Sequence, residues 1–190
     1  MTHTSTTDNP MTLDEYRHHC HIFARKDKKF IFTDQRKPDF RYAALSTLIL
    51  FAKERLFIFD CGEFENPTFD FKSIHSQLDA SAQINKNIRI AILTKQFQNN
   101  GLSSGSFLDL KERYPENFSL YSLGNNLTPN ISFMIGDNKS LVERREIAEA
   151  DYILGAGVHT FVDFGDRNRN HNLVVNFELA ARKASPLFTN

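Results

Sequence analysis

At 190 residues the chain has the length of one ordinary domain, large enough for a substantial core. Lys+Arg and Asp+Glu balance at 23 each, which argues against a generally basic nucleic-acid coat, and two cysteines, Cys20 and Cys61, do not make a disulfide scaffold. No apolar run reaches the roughly 20 residues that a membrane-spanning helix needs. Reduced thiols and a polar start without the apolar centre of a signal peptide lead to the expectation of a cytoplasmic protein. Residues 1–10 are expected to be a disordered leader, and residues 11–190 a single domain.

Thr12 and Glu15 match a capping box, and Leu13, Tyr16, Cys20 and Phe23 follow at near-helical spacing, so a helix is predicted over residues 12–25. A short strand is expected at 29–33. A second helix is predicted over 39–54, where Phe40, Ala43, Ala44, Leu48 and Phe51 form a wide apolar face. The continuous apolar run at 56–59 suits a central strand covered on both faces. A helix at 71–84 and a second buried strand at 88–93 follow. The polar, Gly-rich stretch 98–106 reads as a loop, 107–114 as a short helix ending before Pro115, and 118–123 as a third strand. Ile131 to Ile135 reads as a strand entering a hairpin at Gly136, Asp137 and Asn138. Residues 143–150 are ambiguous between strand and helix. Strands are expected at 152–154 and 159–164, joined by a turn at Gly155, Ala156 and Gly157, and the last helix at 170–183. Alternating strands and helices imply an α/β fold: a mixed, mostly parallel sheet with helices on both faces, closed by a C-terminal hairpin and helix.

The helix leading into FAKERLFIFD, the strand IRIAILT, and the hairpin followed by FVDFGD and a terminal amphipathic helix resemble a single phospholipase D-like unit. The resemblance covers roughly residues 40–188 and rests chiefly on the order of elements. It implies a strand carrying a His-x-Lys-x-x-x-x-Asp motif, with His as the nucleophile that forms a phosphohistidine and Lys holding a phosphate oxygen. Counting back from Asp137 places Asn130 at the His position and Ser132 at the Lys position. An amide nitrogen is not a comparable nucleophile and a hydroxyl supplies no cation, so the resemblance implies a degenerate, non-catalytic relative. It also implies a homodimer, because active members with one motif per chain pair two sites. No cofactor is implied, and the ligand is expected to be an unnamed protein or a phosphate-containing molecule.

Asn130, Ser132, Asp137 and Asp163 are candidates for one polar cleft. Asp60 and Lys95 lie just past two buried strands, where open α/β sheets bind ligands. His159 or His171, with Asp137, are the candidates for a displaced catalytic centre, the alternative being a phosphodiester hydrolase. His18, His19, Cys20 and His21 form a dense ligand set, but no partner from another element is specified, so no metal site is expected. The basic groups at Arg25–Lys29, Arg144–Arg145 and Arg167–Arg169 read as solvated surface, which leaves nucleic-acid contact as a weaker alternative.

Overall fold

The computed structural model describes residues 11–26, 32–33, 38–60, 71–94, 102–122, 131–137, 140–147, 157–165 and 167–186. Its helices are α1 (Leu13–Lys26), α2 (Pro38–Phe51), α3 (Phe71–Ile84), α4 (Leu102–Arg113) and α5 (Arg167–Lys183). Its strands are β1 (Phe32–Thr33), β2 (Arg55–Asp60), β3 (Arg89–Thr94), β4 (Phe118–Ser122), β5 (Ile131–Gly136), β6 (Ser140–Ile147), β7 (Gly157–Asp163) and β8 (Ser185–Pro186). They form one sheet in the order β1-β7-β6-β5-β2-β3-β4-β8.

The sheet is mixed, as expected, but it is not mostly parallel. Of its seven pairings only β2–β3 and β3–β4 are parallel. The reason is that β5, β6 and β7 follow one another as neighbouring antiparallel strands and enter beside β2 against its direction. The segment 143–150, ambiguous in sequence, is strand as far as Ile147. Helix α4 starts at Leu102, inside the stretch read as a loop, because its Ser- and Gly-containing first turns carry no apolar period. Residues 152–154 and the Gly155-Ala156 pair lie outside the described residues.

Strand alternation divides the core in two. Leu56 and Ile58 of β2, Ile90 and Ile92 of β3, Phe118 and Leu120 of β4, Met134 of β5, Val142 of β6 and Val162 of β7 face one side, packed with residues of α1 to α4. Phe57, Phe59, Leu93, Phe133, Ile135 and Leu141 face the other side, against Val174 and Phe177 of α5. The helices therefore cover both faces. Helix α1 packs on α2 and runs parallel to it: the Tyr16 ring lies 4.8 Å from Phe40 and the His21 ring 5.6 Å from Phe51. Its amino end carries the expected capping box, with Thr12 N donating to Glu15 Oε2 at 2.8 Å and Glu15 N to Thr12 Oγ1 at 3.3 Å.

Helix α2 stops at Phe51, three residues earlier than the sequence suggests, and the cause is specific. The Asp137 carboxylate accepts hydrogen bonds from the backbone N–H groups of Lys53, Glu54 and Arg55 at 2.9, 2.8 and 3.0 Å. A fourth bond, from Asp137 N to Arg55 O at 3.0 Å, ties the β5–β6 turn to the start of β2. Asp137 sits at φ 51°, in the left-handed region that Asp tolerates better than most residues.

Candidate functional site: a buried polar row at the carboxyl ends of the parallel strands

The face of the sheet under α1 to α4 is apolar along most of its length and then changes character at one level. Register places Thr94 opposite Ser122 and Asp60 opposite Thr94. Phe59 pairs with Phe133, so one step on Asp60 meets Ser132; Ser132 opposes Arg144, and Arg144 opposes Thr160. Each of these positions is two residues from an apolar residue of the α1–α4 core: Leu120, Ile92, Ile58, Met134, Val142 and Val162. The period of two therefore puts all of them on the same face. The result is one polar row across six strands, at the carboxyl end of β2, β3 and β4. In open α/β sheets this is where ligands bind.

The row is buried. Thr94, Asp60 and Ser132 are 0%, 1% and 4% exposed, and Thr160 is buried beside the half-buried Arg144. Thr94 donates its hydroxyl to Asp60 Oδ2 at 3.2 Å. Above the middle of the row α2 contributes Arg41, and a recess opens between helix and sheet. It is lined by Arg41, Asp60, Ser132 and Arg144 over a floor that includes Ile58, Phe133 and Met134. Its free volume is about 10 Å³, room for one water-sized group. Among the described residues that line it are two arginines, Arg41 and Arg144, and one carboxylate, Asp60. Charged groups removed from water are retained only with partners, and arginine side chains at such a place are chemically suited to oxyanions. Among the described residues that line the recess, none is a nucleophile of the imidazole or thiolate kind.

Of the residues singled out from sequence, the structure brings Asp60 and Ser132 together. Asn130 and Lys95 lie outside the described residues. Asp137 is at the other end, beside Arg55, engaged with backbone. Asp163 opposes Leu141 on the α5 side of the sheet and accepts from Gly165 N at 2.8 Å, forming the turn into α5. His171 is exposed on α5. His159 pairs with Arg145 across β6 and β7, and its side chain lies outside the described residues. Neither Asp137 nor His171 is among the described residues that line the recess. Three residues of the recess region were overlooked as a set: Arg41, Arg144 and Thr160. Arg144 was legible, since Val142 and Arg144 alternate in SLVERRE, but a charged pair at 144–145 reads as surface until β6 is known to be an inner strand.

The histidine-rich helix makes no metal centre among the described residues. Cys20 is buried, and burial pushes its thiol up to about 12, leaving it protonated and unreactive.

Several solved structures share this fold. A phospholipase D family member, Nuc from Salmonella typhimurium, superposes with a TM-score of 0.63 at 11% identity, covering 85% of this chain and 100% of that one. The fold is phospholipase D-like. NucT from Helicobacter pylori matches with a TM-score of 0.57 at 14% identity over 84% of this chain and 99% of its own. TrmBL2, an archaeal chromatin protein described as showing a novel mode of DNA binding, matches at 0.60 and 12% identity, over 83% of this chain and 53% of its own. No family model matches the sequence, and no curated protein matches it either. The phospholipase D-like likeness is thus one of architecture at low identity. Among the described residues, no helix is long and apolar enough to cross a membrane.

Proposed function

We propose that this phospholipase D-like chain is a binding module for a phosphate-bearing ligand and that it does not hydrolyse phosphodiesters through a phosphohistidine. One observation carries this reading: Ser132, at the position the family's lysine is expected to hold, faces Arg144 on the adjacent strand, and both line the recess with Arg41. A cation is therefore supplied to this place from β6 and α2, while the residue at the expected nucleophile position is Asn130. Binding an oxyanion needs the cation and hydrogen-bond donors. Covalent catalysis needs, in addition, a nucleophile that an amide does not provide. Arginine suits the first task, since its planar fork meets phosphate oxygens two at a time.

The test combines binding and turnover on the full chain. A dinucleotide phosphodiester titrated in NMR experiments is expected to shift the amides of Ser132 and Arg144. Arg144→Ala should weaken the binding by roughly tenfold or more, the usual loss for a charge-assisted contact. Bis(p-nitrophenyl) phosphate should remain intact. Turnover of that diester that disappears in Ser132→Ala would overturn the reading. Nucleic acid is a second candidate ligand, supported by the fold shared with the chromatin protein, and it predicts affinity that falls steeply with salt.

A further inference from the structure

The second contact between α1 and α2 differs in chemistry from the first. Near the amino ends, Tyr16 meets Phe40 in a buried contact, and neither ring changes charge near neutral pH. Near the carboxyl ends, the same helix pair is joined through Phe51, which receives the edge-on ring of His21 at 5.6 Å and 87° and the guanidinium of Arg25 at 6.0 Å. His21 and Arg25 are four apart on α1, and His18 is three before His21, so the three share one helix face.

We infer that the carboxyl-terminal half of α1 is an acid-releasable strap, held on α2 while His21 is neutral and loosened when it gains a proton. The charges around His21 decide the direction. On its own helix its neighbours are His18 and Arg25, both cationic at low pH. Helix α2 carries only two charged residues, Asp39 and Arg41, and both lie in its first turns, at the Tyr16 end. Among the described residues of the two helices no carboxylate lies at this end; beyond α2, Lys53 and Glu54 follow Phe51 as an exposed pair of opposite charge. The face of Phe51 already serves Arg25, so a second cation there meets a like charge. His19 provides the contrast: the carboxylate of Glu15, four residues earlier, attracts it. Consistent with this, partial burial, Arg25 and His18, in that order, hold the His21 imidazole below its ordinary value. The last turn of a helix favours cations, but His21 lies five residues before Lys26 and gains little from that. A group whose docked form resists protonation weakens docking as pH falls below the free imidazole value, near 6.5.

The experiment needs no ligand, so its failure is distinct from failure of the binding reading. Amide hydrogen exchange on the full chain, corrected for intrinsic rates, is compared at pH 7.5 and 5.5. Residues 20–26 of α1 are expected to open about threefold faster at pH 5.5, with the amides of α5 unchanged, the pattern of a local rather than global opening. His21→Gln should keep the slow rate at both pH values, and His21→Lys should show the fast rate at both. Equal acceleration in α1 and α5, or acid-induced opening that persists in His21→Gln, would overturn the inference. So would a direct NMR titration placing His21 above the ordinary imidazole value.

Discussion

At the Arg55 end of β2, the carboxylate of Asp137 is engaged by the chain itself, through the three backbone N–H groups of Lys53, Glu54 and Arg55 that follow α2. At the Asp60 end of the same strand, a carboxylate of equal charge lies under two arginines, in a recess open enough for a water-sized group. Both ends are polar, and both carboxylates sit at or beside the β2–β5 pair, so sequence gives them equal claims to a role. What separates them is the identity of the partners. Backbone N–H groups are fixed in number and can be fully satisfied from within, whereas the guanidinium groups at the other end come from two different elements and line a common recess. The Asp137 end is therefore a fastening, and the Asp60 end is the proposed binding site.

Asp137→Ala gives the largest expected effect. It leaves three backbone donors to find other partners and removes the reason for α2 to stop at Phe51, at a cost of about 3 kcal/mol. Chemical denaturation should show this as a lower midpoint, while ligand affinity, measured well inside the folded range, should be unaffected. If Asp137→Ala lowers affinity and leaves stability unchanged, the assignment of the two ends is reversed. Arg144→Ala is the complementary change. It should cost at least about tenfold in phosphodiester affinity and little stability, because a half-buried arginine beside a buried carboxylate combines a favourable attraction with a desolvation penalty. A stability loss as large as that of Asp137→Ala would show Arg144 to be a structural counter-ion of Asp60.

The order of elements was legible because each one carries its own local signal. The 56–59 run and the capping box at Thr12 and Glu15 are complete within a few residues, and the structure places both as expected. Strand direction was not legible. Nothing within Ile131–Gly136 states that it lies beside β2 rather than at an edge, and the strands that follow it, β6 and β7, extend the sheet by two further antiparallel pairings. The site was half legible for the same reason. Asp60 was found because it ends a strand, and Ser132 through the resemblance. Arg41 and Arg144 join them only through the packing of α2 over β2, β5 and β6, a relation between segments about a hundred residues apart. Asp137 shows the converse: its sequence setting beside Gly136 and Asn138 already pointed to a turn, and the structure adds the backbone groups that it holds.

Gly136 sharpens the fastening at lower amplitude. A Cβ at this position would lie 3.1 Å from Leu48 Cδ2 and 3.5 Å from Ala52 Cβ, so the strand approaches α2 more closely than alanine permits without some give. Gly136→Ala is expected to cost about 1 kcal/mol through overpacking, read as a lower melting temperature. Unchanged stability would mean that Leu48 turns aside freely and that α2 is fastened by Asp137 alone.

The smallest effect tests the amino end of α1, away from both ends of β2. Thr12→Ala removes the hydroxyl that accepts from Glu15 N and donates to Glu15 Oε2, and the loss of such a cap costs about 1 kcal/mol. Glu15 makes the effect depend on pH. Hydrogen bonds from the Thr12 backbone and hydroxyl hold its carboxyl below the ordinary range. The folded state therefore favours the ionised form, and the cap's contribution is present above the unfolded carboxyl value and lost as pH falls through the lower, folded one. The difference in stability between the native chain and Thr12→Ala should accordingly narrow on acidification. Glu15→Gln, which keeps a side-chain acceptor without the charge, should remove most of that pH dependence. A difference that stays constant down to pH 3 would show that the hydroxyl caps the helix alone and that Glu15 adds nothing to the hold of α1 on α2.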